Sequence, residues 1–198
     1  MILEGVVTTT NPDQSMNVSP MGPKIDAFLP ASSGNDLQKF VLRPFQTSTT
    51  YQNLKRTGAG VLHVTDDVLL IAKAAVGKLV ELPPTRPARV VDGFVLANAC
   101  RWYEFKVERL DDVEERTTIE CYIVERGRIR DFFGFNRAKH AVIEAAILAT
   151  RVGIIPDSEI VDGIAGLKIL VDKTGGDAEQ EAFELLDTYV RNTVPSES

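Results

Sequence analysis

The spacing of apolar residues changes from a strand pattern to a helix pattern along this chain, and this order limits the folds open to it. Positions 2–10 are rich in β-branched residues, and a return strand over 15–20 predicts a hairpin. Two longer apolar segments, at about 94–110 and 117–126, predict a second hairpin. From Asn136 onward the apolar residues recur at helical spacing. The sequence therefore predicts the α+β class, a small and mainly antiparallel sheet or barrel followed by helices.

The two patterns also define the expected domains. We expect residues 1–133 to form the sheet domain, and residues 134–194 to form a helical extension that packs on the barrel or builds a dimer contact. Asn136 is the expected cap of the first helix there, and Asp177 with Gln180 predicts a capping box for the last one. The expected apolar face of that last helix consists of Ala182, Leu185, Leu186 and Tyr189.

Two shorter helices are expected between the strands. Hydroxyl side chains at 47–50 can cap a helix over 51–57, and Gly58 fits its C-terminal cap. Asp66-Asp67 can cap a second helix over 68–79. Both helices interrupt the run of strands without changing the predicted class.

The charge balance argues against nucleic acid as a partner. The chain has 22 basic and 28 acidic residues, a net charge of −6, and no stretch concentrates lysine and arginine. It contains no run of 18 apolar residues, and its first residues lack a basic region followed by a long apolar stretch. We therefore expect no nucleic acid, no membrane and a cytoplasmic location.

The two cysteines fit a reducing compartment, where cysteine behaves as a small apolar residue. If the second hairpin turns between Val113 and Glu114, Cys121 lies opposite Lys106. Cys100 then lies opposite Gly127. The two thiols are not expected to be partners.

Metal binding and side-chain catalysis lack a sequence signal. His63 and His140 are the only histidines, and neither has a second metal-type side chain at ligand spacing, so no metal site is expected. His63 lies in an apolar strand and is expected to be a hydrogen-bonded core or pocket histidine. No nucleophile motif involves serine or cysteine. The catalytic residues therefore stay unassigned.

One cluster is suited to an anion. Arg43 carries a guanidinium that can bind a phosphate in bidentate fashion, and Thr47, Ser48, Thr49 and Thr50 follow at a helix start. Hydroxyls, unpaired first-turn amides and the helix dipole all favour negative charge there. The alternative is plain helix capping beside a surface arginine.

A second candidate is the stretch 17–23. Two prolines and a glycine are expected to hold its backbone in a fixed, irregular course that exposes amides and carbonyls to a ligand. The alternative is a strand that ends in an ordinary turn. Because it lies upstream of Arg43, it could form the other wall of one pocket.

These segments carry a resemblance to a known superfamily. Residues 4–22, from Glu4-Gly5-Val6 to Pro20-Met21-Gly22, resemble the opening of the FMN-binding split-barrel proteins, in their flavin-reductase-like branch. The chain is most similar to a prokaryotic family within that superfamily that was formerly a domain of unknown function. The other matching segments are Arg43-Pro44-Phe45, Ser48-x-Thr50-Tyr51-x-Asn53-Leu54, His63-Val64-Thr65-Asp66-Asp67 and Gly134-Phe135-Asn136-Arg137-Ala138-Lys139-His140-Ala141.

The resemblance implies a split barrel of six or seven strands, a homodimer, and FMN at the dimer interface. It implies two sets of FMN contacts. Those expected to border the flavin ring are Asn17, Val18, Ser19, Pro20 and Met21. Those expected to hold the phosphate and ribityl chain are Arg43, Thr47, Ser48, Thr49, Thr50 and Asn53.

A basic group at the start of a helix belongs to the same hypothesis. Arg137, Lys139 and His140 oppose the helix dipole at this position, which indicates an anionic partner. That partner could be the flavin phosphate of a second subunit, or a substrate. The alternative is a solvated first turn.

The resemblance implies an FMN-dependent oxidoreductase of the flavin-reductase type that uses a small soluble electron donor or substrate. The chain lacks a separate nicotinamide-binding motif and has a helical extension that typical flavin reductases lack. A non-catalytic flavin carrier, sensor or scaffold is therefore the alternative. A pterin or deazaflavin ligand in the same pocket is a third possibility.

Overall fold

The first two strands form the expected hairpin. The computed structural model describes residues 1–25 and 37–194. β1 (Gly5–Thr10) pairs antiparallel with β2 (Met16–Met21), and Thr9 lies opposite Asn17. The prediction of a hairpin in the first part of the chain is confirmed.

A six-stranded antiparallel sheet forms around this hairpin. Its other strands are β3 (Lys39–Leu42), β4 (Ala59–Val64), β7 (Arg101–Asp111) and β8 (Thr118–Arg128). Their order is β2-β1-β4-β7-β8-β3. Isolated bridges join Lys24 to Ile2 and to Val41, so pairing continues from the end of β2 to β3. Together with five helices in the described part of the chain, this sheet confirms the α+β class.

The predicted strand over 94–110 is two strands. β5 (Thr85–Pro87) and β6 (Phe94–Leu96) form a small sheet of their own, and β7 begins only at Arg101. The break comes where the amide of Cys100 donates to the carbonyl of Val64 at 2.9 Å. Residues 85–96 therefore form a separate segment, which we call the 85–96 hairpin.

The pairing of β7 with β8 differs from the expected register by one or two residues. Cys121 lies opposite Val107 instead of Lys106, and Gly127 lies opposite Trp102. Cys100 precedes β7 and is outside the ladder. Asp111 pairs with Thr118, so the turn is centred between Glu114 and Glu115, one residue later than expected, and register shifts after Glu104 and Val107 change the pairing further along the ladder. Both cysteines are buried and neither forms a disulfide, as expected.

The sheet covers an apolar core on one face and a smaller cluster on the other. The main core includes Val7, Leu62 and Phe105 from three adjacent strands. The second cluster consists of Val61, Val91, Val95 and Trp102. Because Val61 and Leu62 are consecutive in β4, the two clusters lie on opposite faces of the strand.

The helices begin largely where the sequence indicates. They are α1 (Thr49–Thr57), α2 (Val68–Ala75), α3 (Arg137–Ala149), α4 (Asp157–Thr174) and α5 (Asp177–Thr193). Ser48, Asp67 and Asn136 each accept a hydrogen bond from a first-turn amide, which confirms three expected N-caps.

The start and the apolar face of α5 differ from the expectation. Gly176 is the N-cap residue, and its amide donates to the carboxylate of Glu179 at 2.9 Å, so Asp177 and Gln180 do not form the capping box. The buried residues along the helix are Glu179, Ala182, Phe183, Leu186 and Val190. Leu185 and Tyr189 are only partly buried, because the buried face is rotated from the expected one.

Two compact units divide the chain. The first contains residues 1–65 and 82–131, and the second contains residues 66–81 together with the helices that follow residue 131. The sequence-based division after residue 133 assigned α2 to the sheet domain, whereas the chain contacts group it with the helices. Within the described ranges, no helix is long and apolar enough to cross a membrane.

Candidate functional site

The start of α1 presents unsatisfied backbone donors. The Ser48 hydroxyl accepts the amide of Tyr51 at 3.2 Å, and the Ser48 carbonyl accepts the amide of Gln52. The amides of Thr49 and Thr50 come before the first intrahelical bond, so no carbonyl of the helix can accept them. Gly58 ends the helix with a φ of 66°, as expected for a glycine cap. The helix dipole and these amides make its N-terminus suitable for an anion.

A polar network joins β2 to α1. The side-chain amide of Asn17 donates to the Thr50 hydroxyl and to the Thr9 hydroxyl, both at 3.1 Å. From the helix, the Asn53 amide donates to Thr9 at 3.0 Å and to Asn11 at 2.8 Å. The two stretches expected to hold one ligand therefore lie next to each other.

The stretch expected to follow an irregular course is a regular strand. Residues 16–21 pair one by one with β1, so the strand of the alternative prediction is present, whereas residues 22–23 do not form the turn expected after it. Side chains alternate along a strand, which puts Asn17, Ser19 and Met21 on the face toward α1. Val18 and Pro20 point to the other face. Pro20 fits because β2 is the outer strand of the hairpin.

A groove of about 430 Å³ runs beside α1. Its lining consists of Pro12, Thr47, Thr49, Gln52, Asn53, Lys55 and Arg56. Thr47 and Thr49 are exposed, whereas Thr50 and Asn53 are each only 2% exposed. The exposed hydroxyls are thus open to a ligand, and the buried pair shapes the wall behind them.

Sequence reasoning missed four of these lining residues. They are Pro12, Gln52, Lys55 and Arg56. Gln52 and Arg56 are separated by one helical turn, so the helix prediction itself could have indicated that they share a face. Pro12 had no such signal, because it lies in the turn between β1 and β2, which is distant in sequence from α1.

The two cations of the groove are already held by protein groups. Lys55 lies 2.8 Å from the Asp112 carboxylate and 3.0 Å from the Tyr51 hydroxyl. The hydrogen bond that Lys55 donates to the Asp112 carboxylate raises the pKa of Lys55 above its usual value. Arg56 donates to the carbonyl of Thr10 and, at 3.3 Å, to Asn53. Both side chains contribute positive charge without being fully available as ligands.

Arg43 has an unused donor. Its Nε is the only buried side-chain nitrogen or oxygen that lacks a hydrogen-bond partner in the described part of the chain. Its Nη2 reaches only the carbonyl of Arg116, at 3.5 Å. A buried donor without a partner costs free energy, so this position fits a group that brings an acceptor oxygen.

The basic group at the start of α3 lies in the helical unit. The Lys139 ammonium is 2.7 Å from Glu179 and donates to the carbonyl of Asp66 at 2.8 Å. Burial acts to raise the pKa of Glu179, but hydrogen bonds from Lys139 and Gly176 outweigh it and leave this pKa below the usual value. Arg137 and His140 are exposed, and His140 contacts the Phe135 ring. Lys139 is therefore paired within its own unit.

His63 is a core histidine, as expected. Its Nε2 accepts the amide of Leu96 at 3.1 Å, and its Nδ1 lies 3.2 Å from the carbonyl of Val6. Burial, together with the charge of Arg86, lowers the pKa of His63 to about 4. The imidazole is therefore neutral at ordinary pH. The described residues contain no group of three or more side chains suited to a metal ion.

Comparison with family models gives the chain's affiliation. The model described as the N-terminal domain of the protein of unknown function DUF447 matches residues 3–130, and a second DUF447 model matches residues 136–188. The chain belongs to the DUF447 family. The resemblance to a former domain of unknown function is thereby confirmed. No curated protein matches the chain significantly.

Solved structures with this DUF447 fold include flavoproteins. An FMN-bound DUF447 protein from Methanosarcina mazei has 22% identity and a TM-score of 0.79, and the match covers 95% of this chain and 94% of that one. An FMN-binding protein from Thermus thermophilus has 13% identity and a TM-score of 0.51, covering 64% and 70%. Component B of nitrilotriacetate monooxygenase from Bacillus cereus has 16% identity and a TM-score of 0.51, covering 65% and 70%. At these identities the likeness establishes a shared fold.

Proposed function

We propose that this DUF447 chain binds FMN and acts as a flavin-dependent oxidoreductase of the flavin-reductase type on a small soluble substrate. The observation that carries the proposal is the 3.1 Å hydrogen bond from Asn17 to Thr50, because it joins the stretches expected to hold the flavin ring and the phosphate. The FMN-bound family member from Methanosarcina mazei supports FMN as the ligand.

The phosphate is assigned to the N-terminus of α1. The exposed hydroxyls of Thr47 and Thr49 and the first-turn amides supply donors, and the helix dipole favours the negative charge. Arg43 contributes its unpartnered Nε and an additional positive charge. Ser48, Thr50 and Asn53 cap the helix or shape the wall, since their polar groups are bonded to the protein.

The ring is assigned to the side of β2 that faces α1. Asn17, Ser19 and Met21 can reach it with side chains, whereas Val18 and Pro20 can contribute only backbone atoms. The bridge between Lys24 and Val41 supports closure of the sheet into a split barrel.

A homodimer with FMN at its interface completes the proposal. Arg137 carries an exposed positive charge and His140 an exposed imidazole, and a second subunit or a substrate could contact either. Lys139 is a weaker candidate, because its ammonium group already pairs with Glu179.

When bound, FMN supplies the hydride or electron transfer. The described lining of the groove has hydroxyl, amide and cationic groups but no carboxylate, imidazole or thiol. The role of the chain is therefore to bind and orient the cofactor. A non-catalytic carrier, sensor or scaffold would use the same groove, and the response to an electron donor separates the two functions.

Comparing FMN with riboflavin, which lacks the phosphate, tests the phosphate assignment. Each flavin is titrated into flavin-free protein while its fluorescence is recorded. We expect FMN to bind at least about tenfold more tightly than riboflavin, the effect of one or more charged hydrogen bonds.

The variant with Thr47→Val and Thr49→Val should reduce this FMN preference. Thr85→Val serves as the matched control, because Thr85 is an exposed hydroxyl outside the groove. Equal affinity of the native protein for FMN and riboflavin would contradict the phosphate assignment. If the protein binds neither flavin, the proposed function is overturned.

A further inference from the structure

Two arginines converge on one tryptophan outside the proposed flavin site. The guanidinium carbons of Arg86 and Arg89 lie 4.8 Å and 5.5 Å from the centre of the Trp102 ring. The same ring packs on Gly127, where an added Cβ would come within 2.5 Å of it. Trp102 is only 1% exposed, so its indole is held in place by the core while two positive charges lie against it.

Among the described residues, neither guanidinium has an acidic partner. In the described ranges, no ion pair or hydrogen bond engages the side chain of Arg86 or Arg89. The buried carboxylate of Glu104 bonds to the backbone instead. Its two oxygens accept the amides of Arg89, Val90 and Val91 at 2.7–3.0 Å. Two like charges beside one ring repel each other, and an anion placed between them would remove that repulsion.

The backbone that carries these arginines is anchored by buried polar side chains from three adjacent strands. Thr8 donates to the carbonyl of Phe94 at 2.6 Å, and Thr10 donates to that of Asp92 at 3.2 Å. His63 accepts the amide of Leu96. Together with the three bonds to Glu104, they fix the loop that carries Arg89 and the strand β6, where Val95 pairs with Arg86. The arginines therefore start from defined backbone positions, which reduces the ordering cost of binding.

This site is separate from the α1 groove. Thr8 and Thr10 point toward the 85–96 hairpin, whereas Thr9 between them bonds to Asn17 and Asn53. Successive side chains of a strand point to opposite faces, so the two arginines lie across β1 from the start of α1.

We propose that Arg86 and Arg89 form a binding site for a diphosphate group, as carried by a nucleoside diphosphate or by free pyrophosphate. One guanidinium can bind one carboxylate or one phosphate in bidentate fashion. Two guanidiniums that lie against one indole match two linked phosphates, each held by one arginine. Trp102 positions the guanidiniums and is itself too buried to stack on a base.

Trp102 is also the probe, because the chain contains one tryptophan. Protein labelled with ¹⁵N and saturated with FMN gives one indole N–H signal, which is followed while pyrophosphate or adenosine diphosphate is added at constant ionic strength. Both should move the signal saturably, and adenosine without phosphate should not. Sodium chloride at the same ionic strength is the blank.

The double variant Arg86→Gln, Arg89→Gln should bind at least about tenfold more weakly, the loss of one or more charged hydrogen bonds. Arg151→Gln with Arg191→Gln removes the same charge from two exposed positions outside the site and should bind like the native protein. If the double variant does not fold, Arg89→Gln alone, at an exposed residue, gives the same test.

A shift that does not saturate, a shift produced equally by adenosine, or equal binding by the two double variants would overturn the site. Tighter binding of adenosine diphosphate than of pyrophosphate would support a nucleotide as the source of the diphosphate, and equal binding would support the anion alone. Because FMN is saturating throughout, failure here leaves the proposed FMN site untouched.

Discussion

Single side chains fix the position of α1 against the hairpin. The hydroxyl of Ser48 and the left-handed conformation of Gly58 set the two ends of the helix, and both could be predicted from local sequence. The contact of Asn17 with Thr50 spans 33 positions of sequence. No local pattern identifies such a pair, so the resemblance to a known superfamily was needed to bring the two stretches together.

Arg43 provides the sharpest test at this scale. Arg43→Ala should weaken FMN binding by about 1.5–3 kcal/mol, because a charged hydrogen bond to the phosphate is lost. The measurement is a fluorescence titration of flavin-free protein with FMN. Arg109→Ala is the control, since Arg109 is an exposed arginine whose ion-pair distances are 3.7 Å. Unchanged affinity in Arg43→Ala would remove Arg43 from the phosphate site.

His63 should make stability depend on pH. The pKa of His63 is about 4 in the folded chain, against a usual value of 6.5, so the unfolded chain binds the proton more readily. Stability should therefore fall as pH decreases from about 6.5 to about 4, by a His63 contribution of about 3 kcal/mol. Urea unfolding across this range, compared between the native protein and His63→Gln, measures it. Equal pH dependence in the two proteins would contradict the burial argument.

At the scale of elements, caps were predictable when the capping side chain lies beside the helix it caps. Asn136 and Asp67 are examples. The start of α5 was assigned wrongly because Glu179, which accepts the Gly176 amide, is also held by Lys139 from α3. Likewise, β2 is regular despite its proline, because that residue occupies an outer strand. Tertiary partners decided both elements.

The Lys139–Glu179 pair should stabilise the helical unit. Glu179→Gln leaves a largely buried ammonium without its counter-charge, and we expect a loss of about 1–3 kcal/mol in unfolding free energy. Glu181→Gln is the matched control on the same helix. Its ion pair with Lys73 is more exposed, so its loss should cost less than about 1 kcal/mol. Equal effects in denaturant unfolding would show that burial does not distinguish the two pairs.

At the scale of the whole molecule, the order of elements predicted the α+β class, but long-range register could not be read from it. The turn between β7 and β8 is centred one residue later than expected, and a bulge follows it, so Cys121 pairs one residue away from the expected position. The 85–96 hairpin was not predicted, and its second strand was taken as the start of a longer one, because its anchors Thr8, Thr10, His63 and Glu104 are distant in sequence. Apolar patterning records burial but not these polar partners.

Enzymatic activity can be tested on the intact holoprotein. If the chain is a flavin-reductase-type enzyme, anaerobic addition of a reduced nicotinamide nucleotide should bleach the visible flavin absorbance. The reason is that electrons from the donor reduce the bound FMN. Free FMN with the same donor is the control. If neither this donor nor other small reductants bleach the protein-bound flavin faster than free FMN, the carrier or sensor function is correct instead.

The position of the flavin in a crystal structure of the FMN complex tests the central claim most directly. The phosphorus atom should lie at the N-terminus of α1, within hydrogen-bond reach of the Thr49 amide and close to Arg43. The ring should lie along Asn17–Met21, on the side that faces the helix. A phosphate bound elsewhere, or a ring that contacts neither β2 nor its copy in a second subunit, would contradict the account.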